Sequence, residues 1–308
     1  MDKVIVLAGP TASGKTALSI LLAKLYNGEI VSADSMQIYK RMDIGTAKAT
    51  KEEQAQAVHH MIDVAQPNEE YSVSRYVEEA EKCCRDIISR GKIPIICGGT
   101  GLYIDSLLSG RSFAQKEDDN TLRDELSDEY DRIGGEEMLK KLSLVDPERA
   151  EKLHPPDKRR IVRALEIFLL NGKTISQHDA ETKALPPRFK AKTILLNFKD
   201  RQDLYDRINL RVDLMAQQGL FEEVESLLNS GLDESCTAMQ AIGYKEAVQA
   251  LRGEISREEA LEQIKMVSRR YAKRQLTWFR RSEDALWINW DKEPNIDAAL
   301  EDIKNYLT

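Results

Sequence analysis

Short apolar runs rich in β-branched residues alternate along this chain with longer stretches whose apolar positions repeat at helical spacing. A strand covered on both faces produces a continuous apolar run, whereas a helix that packs on a sheet is apolar on one side only. Five runs predict strands, at residues 4–8, 29–33, 93–97, 193–198 and 285–290. Their alternation with helical patterns indicates an α/β fold with a parallel sheet core flanked by helices.

The pattern changes in the middle of the chain. Between residues 112 and 187 the apolar positions follow helical spacing, and prolines interrupt the sequence several times. We therefore predict an all-helical insertion domain at residues 113–189. The core would then consist of residues 1–112 and 190–308.

Composition restricts the class of protein. The chain has 308 residues, 42% apolar and 31% charged, with a net charge of −7, which is typical of a soluble globular protein. No uncharged apolar stretch approaches the roughly 20 residues of a membrane span, and the first residues do not resemble a signal peptide, so we expect a cytoplasmic protein without a membrane partner. The spacing of cysteines and histidines argues against a zinc site, and we expect His59 and His60 to be hydrogen-bonded structural residues.

The first predicted strand leads directly into a phosphate-binding loop. Residues 9–16 match G-x-x-x-x-G-K-[ST] and precede a helix predicted at residues 17–26. Backbone N–H groups and the helix N-terminus favour phosphate, Lys15 adds a positive charge, and the Thr16 hydroxyl is a ligand for Mg²⁺. The loop does not distinguish an isoprenoid diphosphate from the terminal phosphates of ATP. The predicted phosphate-binding residues are Gly9, Pro10, Thr11, Ala12, Ser13, Gly14, Lys15 and Thr16.

Asp34 follows the second predicted strand. Ligands of open α/β sheets gather at the carboxyl ends of the strands, so Asp34 is expected to face the phosphate loop. It could cap the next turn, bind Mg²⁺ through water, or act as a general base. The sequence spacing does not choose among these roles.

Two basic clusters stand out in a chain of negative net charge. Residues 265–281 contain seven basic residues and no acid, and the basic positions repeat at helical spacing. This helix could meet RNA phosphates or could simply be solvated. We expect Tyr271 and Trp278 to pack in the core beside it. The second cluster consists of Lys158, Arg159, Arg160 and Arg163.

Several strings of residues resemble those of bacterial tRNA dimethylallyltransferases. They follow the phosphate loop as DSMQIYK at 34–40, MDIGTAK at 42–48, HHMID at 59–63, GGTGLY at 98–103, RALE at 163–166, AIGYK at 241–245 and AKRQLTW at 272–278. The resemblance covers essentially the whole chain. It implies a P-loop NTPase-like core with a helical insertion domain that contacts tRNA.

The resemblance also implies an activity. Members of that family transfer a dimethylallyl group from dimethylallyl diphosphate to the exocyclic N6 amine of the adenosine directly 3′ of the anticodon, and they release diphosphate. The accepted tRNAs read codons that start with U. The implied cofactor is Mg²⁺, the implied partners are dimethylallyl diphosphate and the anticodon stem-loop of tRNA, and we expect a monomer.

By the same resemblance, Asp34 is the general base, Thr16 is a catalytic residue that binds Mg²⁺, and Arg211 contacts the phosphates. Without the resemblance, Arg211 would equally suit a surface helix of mixed charge. The predicted tRNA-binding residues are Asp34, Ser35, Met36, Gln37, Thr100, Arg123, Arg159, Arg160, Arg163, Gln240, Gly243, Tyr244, Lys245 and Arg274.

Two other classes of protein share parts of this pattern. A P-loop small-molecule kinase would place Lys15 and Thr16 on ATP, with Arg159 and Arg163 as arginines of a helical lid. A non-catalytic, nucleotide-switched RNA-binding protein would need nucleotide-dependent affinity for tRNA. The basic helix at 265–281 has no use in a metabolite kinase.

Overall fold

A parallel six-stranded sheet forms the centre of the structure. The computed structural model describes residues 2–110, 121–183 and 185–308. Within these residues the strand order is β3-β2-β4-β1-β5-β6, and every neighbouring pair is parallel. The strands are β1 (Lys3–Ala8), β2 (Gly28–Ser32), β3 (His59–His60), β4 (Ile93–Gly98), β5 (Lys190–Phe198) and β6 (Leu286–Trp290).

Helices occupy most of the remaining described chain. They are α1 (Lys15–Leu25), α2 (Lys51–Gln54), α3 (Val73–Ser89), α4 (Gly101–Leu108), α5 (Thr121–Ile133), α6 (Gly135–Val145), α7 (Pro147–Ala150), α8 (Lys158–Asn171), α9 (Ile175–Lys183), α10 (Arg201–Gln217), α11 (Leu220–Asn229), α12 (Tyr244–Leu251), α13 (Arg257–Phe279) and α14 (Ile296–Leu307), with one 3-10 turn at Ala238–Gln240. The predicted fold class, a parallel sheet flanked by helices, is confirmed.

The five predicted strands are present with their bounds shifted by three residues or fewer, but β3 was missed. It consists of two histidines, so it has no apolar run to reveal it. Both imidazoles are hydrogen-bonded, as predicted: His59 Nδ1 lies 2.8 Å from the Ala57 carbonyl oxygen, and His60 Nε2 lies 2.7 Å from Glu29 Oε2.

Glu29 carries a buried charge at the start of β2, opposite to the end that bears Asp34. Its carboxylate accepts hydrogen bonds from Arg90, Lys92 and His60. The Arg90 guanidinium holds the pKa of Glu29 well below its usual range, and Lys92 and His60 add to this effect. This compensation allows a carboxylate within an otherwise apolar strand.

β1 lies at the middle of the sheet and places the phosphate loop. It pairs with β4 on one side and β5 on the other, with Ala8 in register with Gly98 and Leu195. Residues 4–8 of the strand are all buried. Because the strands are parallel, the chain segments that follow β1, β2 and β4 emerge at the same edge of the sheet.

The chain divides into two compact units, which consist of residues 1–108 with 188–308 and of residues 109–187. The second unit contains α5 to α9, and its core includes Leu126, Met138, Leu142, Ile161 and Leu165. The boundary that we predicted at residues 112–113 lies outside the described residues. None of the described helices has both the length and the apolar character needed to cross a membrane.

Candidate active site

The phosphate loop connects β1 to α1 as the motif predicts. Gly9 lies so close to β5 that a Cβ atom there would be 2.7 Å from the Leu196 carbonyl oxygen. Gly14 has a φ of +87° and begins α1 from the left-handed region, which favours glycine. The Ser13 hydroxyl donates a 2.8 Å hydrogen bond to the Pro10 carbonyl and closes the loop on itself.

Three side chains from distant parts of the chain hold the loop in place. Gln275 accepts a 3.0 Å hydrogen bond from the Thr11 N–H, Arg207 donates to the Ala12 carbonyl at 3.2 Å, and the Trp290 indole donates to the Ser13 carbonyl at 2.9 Å. None of the three was predicted from the sequence to belong to the site. Only Gln275 could have been found from the sequence, because it lies in the AKRQLTW string that resembles the family.

Lys15 lies folded over the phosphate loop. Its Nζ donates hydrogen bonds to the carbonyl oxygens of Gly9 at 3.1 Å and Pro10 at 2.7 Å. Burial lowers the pKa of Lys15 to about 8, and Arg211 also lowers it, while the interactions with Cys97 and Asp34 act in the opposite direction. An anion bound in the loop would favour the ammonium form and raise this pKa.

We therefore expect diphosphate binding to be coupled to protonation of Lys15. Below about pH 8 the Lys15 amine is already protonated in the free protein, so diphosphate binding causes little further proton uptake at this residue. Above that pH the amine is neutral, binding takes up close to one proton, and affinity falls as the pH rises. Titration calorimetry in buffers of different ionisation enthalpy at about pH 6.5 and about pH 9.5 measures the uptake. If Lys15→Met took up as many protons as the wild type on binding diphosphate at about pH 9.5, Lys15 would not be the group that is protonated.

Asp34 caps the turn that follows β2. Its Oδ1 accepts hydrogen bonds from the N–H groups of Met36 at 2.9 Å and Gln37 at 3.4 Å. The other carboxylate oxygen has no hydrogen-bond partner among the described residues, and the side chain lines a cavity with Lys15 and Thr16. The capping role is thus observed, while one oxygen stays available for chemistry.

The ends of β2 and β4 are joined beside Asp34. Thr100 accepts a 3.1 Å hydrogen bond from the Ser35 N–H, and its own N–H donates to the Ala33 carbonyl at 3.1 Å. The Gln37 amide donates to the carbonyl oxygens of Thr46 and Ala47, both at 3.2 Å. Gln37, which we predicted to contact tRNA, therefore also connects the turn after β2 to residues 46 and 47.

Arg211 points at the phosphate loop from α10. Its Nη1 donates to the Thr11 hydroxyl at 3.4 Å, and burial together with nearby Arg207 lowers the pKa of its guanidinium. Of the two interpretations left open by the sequence, the placement matches a phosphate-side residue and not a solvated helix face.

These side chains surround a cavity of about 370 Å³. A second cavity of about 720 Å³ adjoins it, and Lys15, Thr16 and Arg211 line both. The phosphate loop is therefore accessible from two directions. The predicted site residues that line the first cavity are Thr11, Ala12, Ser13, Gly14, Lys15, Thr16, Asp34, Ser35, Met36, Gln37, Arg211, Gln240, Gly243 and Arg274.

Other predicted tRNA contacts lie elsewhere. The Tyr244 side chain is fully buried and donates a 2.6 Å hydrogen bond to Glu223, and Lys245 is exposed beside it. In the helical unit, Glu166 is buried and binds both Arg123 and Arg163, at 3.0 and 2.7 Å.

The other two arginines of the helical unit that we predicted to contact tRNA lie near the start of α8. Arg159 is exposed, and Arg160 is exposed with an Nη1 3.8 Å from Asp157 Oδ1. The function of all four arginines remains a prediction.

The basic stretch at 265–281 forms the second half of α13 and the residues just after it. Lys265 is neutralised by Asp213 and Glu262, whereas Lys273 and Arg280 are exposed and have no ion pair among the described residues. The exposed positive charge is therefore concentrated toward the end of the helix.

Tyr271 and Trp278 do not pack in the core, contrary to expectation. Tyr271 is half-buried and lines the first cavity, because it shares a face of α13 with Ser268 and Gln275. Trp278 is also half-buried, and its indole N–H donates to Asp105 at 2.8 Å.

The sequence is similar to those of two protein families and of named relatives. The family described as IPP transferase matches residues 37–282, and the family described as isopentenyl transferase matches residues 2–64. The tRNA dimethylallyltransferase of Acetivibrio thermocellus is 49% identical over 307 residues, which cover 100% of this chain and 98% of the relative. The protein of the same name from Bacillus anthracis is 50% identical over 288 residues, which cover 94% and 91%.

Solved structures show the same relationship. The tRNA isopentenylpyrophosphate transferase of Bacillus halodurans has a TM-score of 0.74 and 39% identity, covering 100% of this chain and 96% of the other. A eukaryotic dimethylallyltransferase acting on tRNA has a TM-score of 0.85 and 30% identity, covering 100% of this chain and 79% of the other. With a family model matching most of its residues, a matching fold and about half of its residues identical to those of named relatives, the chain belongs to the IPP transferase family.

Proposed function

We propose that this protein transfers a dimethylallyl group from dimethylallyl diphosphate to the N6 amine of the adenosine directly 3′ of the anticodon, in tRNAs that read codons starting with U. The observation that carries the proposal is the convergence of Asp34 with Lys15 and Arg211 on one cavity. The names of the relatives, tRNA dimethylallyltransferases and a dimethylallyltransferase acting on tRNA, support it.

The phosphate loop would serve the leaving group. As the carbon–oxygen bond of the allylic diphosphate breaks, positive charge spreads over the allyl group and negative charge grows on the diphosphate. Lys15, Arg211 and the loop N–H groups are positioned to stabilise that negative charge. Cations that are already held in place lower the activation barrier for departure of the diphosphate, because they need not move as its charge grows.

Asp34 would serve the acceptor. The exocyclic amine of adenine is a weak nucleophile because its lone pair is delocalised into the ring, and its N–H becomes acidic as the new carbon–nitrogen bond forms. The oxygen of Asp34 that is not engaged in capping can accept this proton. The products are then the N6-alkylated adenosine, diphosphate and one proton on the carboxylate.

A magnesium ion suits the oxygen donors of this site. Mg²⁺ prefers oxygen ligands and is commonly held by one or two protein oxygens together with substrate phosphates. The Thr16 hydroxyl lines both cavities, and within the described residues no cluster of three or more His, Cys, Asp or Glu could form an all-protein metal site. Thr16 would hold the ion, which would neutralise charge on the diphosphate.

Extraction of the adenosine from the anticodon stack costs a few kcal/mol, which protein contacts must replace. The lining of the first cavity at residues 35–37 and 240–243 offers such contacts. The proposed backbone contacts are the exposed cations at the end of α13 and the arginines of the helical unit. Since one chain supplies all of these residues, the proposed active unit is the monomer.

Nucleoside mass spectrometry tests the proposal. Unmodified tRNA is incubated with the protein and Mg²⁺, with dimethylallyl diphosphate in one tube and ATP in another. We expect one adenosine to gain a C5 group in the first tube alone. No gain there, with ATP consumed when small acceptors are added, would favour the kinase, although none of the relatives described above is named a kinase.

A further inference from the structure

Glu223, on α11, binds four donors with one carboxylate. Its Oε2 accepts hydrogen bonds from the backbone N–H groups of Asp43 at 2.9 Å and Ile44 at 2.8 Å. Its Oε1 accepts from the Gly45 N–H at 3.1 Å and from the Tyr244 hydroxyl at 2.6 Å. A carboxylate offers about four acceptor positions, so this one is fully used.

The two segments joined by Glu223 form part of the wall of the first cavity. Gly45 and its neighbours Thr46 and Ala47 line one side, and the residues just before Tyr244 line another. Glu223 itself does not line the cavity. Its effect on a substrate bound in this cavity would therefore pass through the segments that it holds.

Direct packing makes the junction between the segments tight. A Cβ atom on Gly45 would lie 2.5 Å from the Tyr244 ring, so the turn lies directly against that ring. Tyr244 is fully buried, and burial together with the Glu223 charge raises the pKa of its phenol strongly, so it stays a neutral donor. Three successive N–H groups around one anion favour the observed turn.

A separate anchor holds the far end of the same segment. The buried Lys48 ammonium donates to the Tyr39 carbonyl at 2.8 Å and to carboxylate oxygens of Asp43 and Asp63, each at 2.6 Å. Loss of Glu223 would therefore leave the N–H groups of residues 43–45 without their carboxylate acceptor, while the Asp43 side chain stays attached to Lys48.

We infer that Glu223 is a positioning residue that fixes the acceptor side of the active site and so sets the affinity for RNA. The inference rests on the proposed function, because it takes the nucleic acid to occupy the first cavity, which both segments line. The phosphate loop has no hydrogen bond to Glu223 or to the turn that it holds. Although Asp43 and Ile44 line the second cavity together with Lys15, we therefore expect the phosphate loop to bind diphosphate with little change when Glu223 is replaced.

Two variants and one matched control test the inference. In Glu223→Ala the Kd for an unmodified tRNA transcript should rise about tenfold, since the turn must be ordered on binding, while the Kd for dimethylallyl diphosphate changes less than about twofold. Glu223→Gln keeps one oxygen that can accept hydrogen bonds, so its Kd for tRNA should lie between those of the wild type and Glu223→Ala. Glu222→Ala removes an exposed neighbouring carboxylate that pairs with Arg257 at 3.4 Å and should match the wild type.

Hydrogen exchange at the amides of Asp43, Ile44 and Gly45 gives a second readout, which does not depend on activity. Exchange should accelerate in Glu223→Ala and not in Glu222→Ala. Equal weakening of tRNA and diphosphate binding, or unchanged tRNA affinity in a folded variant, would overturn the inference. If the wild type transfers no dimethylallyl group, the proposed function fails, yet the two Kd values still decide the assignment of Glu223.

Discussion

Asp34→Asn is expected to slow dimethylallyl transfer by about 10² to 10⁴-fold while tRNA affinity stays near that of the wild type. The amide cannot accept the proton that leaves the adenine amine. Its carbonyl oxygen can still accept the N–H groups of Met36 and Gln37, so the turn after β2 survives. Single-turnover rates at saturating substrates, together with a tRNA Kd, measure both effects.

Asp34→Ala is the comparison that separates chemistry from structure. It removes the cap as well as the base, so we expect a loss of tRNA affinity in addition to the loss of rate. A near-normal single-turnover rate for Asp34→Asn would show that this carboxylate does not act as the base, whatever the effect of the alanine variant.

Lys15→Met is expected to lower kcat by about 10² to 10³-fold at saturating tRNA and dimethylallyl diphosphate. Methionine keeps most of the length of the side chain and loses the charge that would meet the departing diphosphate. The matched control is Lys24→Met, on the same helix, where the exposed amine contacts only Gln56 at 3.0 Å among the described residues. A raised KM with unchanged kcat would mean that Lys15 binds the ground state alone.

The parts of the site that lie in contiguous sequence could be predicted. The phosphate loop, its place after β1 and the position of Asp34 at the carboxyl end of β2 all follow from local patterns and from the geometry of parallel sheets. The helical unit was recognisable by its change of periodicity. Each of these features is encoded within a few residues of where it acts.

The parts that depend on distant residues could not be predicted in the same way. Arg207, Gln275 and Glu223 act through hydrogen bonds to backbone groups far away in the chain. Nothing in a helical pattern shows which polar side chain faces another segment. Tyr271 was misplaced for a related reason, because a helix that borders a cavity has the same apolar stripe as one that borders a core.

The support of the phosphate loop has a consequence for biosynthesis. The loop leaves the ribosome well before the two residues that hold its backbone, since Gln275 follows Thr11 by 264 residues and Trp290 follows Ser13 by 277 residues. The central strand β1 likewise cannot complete its pairing until β5 has been synthesised, and β5 follows the whole helical unit in the sequence. A nascent chain therefore carries a phosphate loop without these hydrogen bonds until Gln275 and Trp290 have been added.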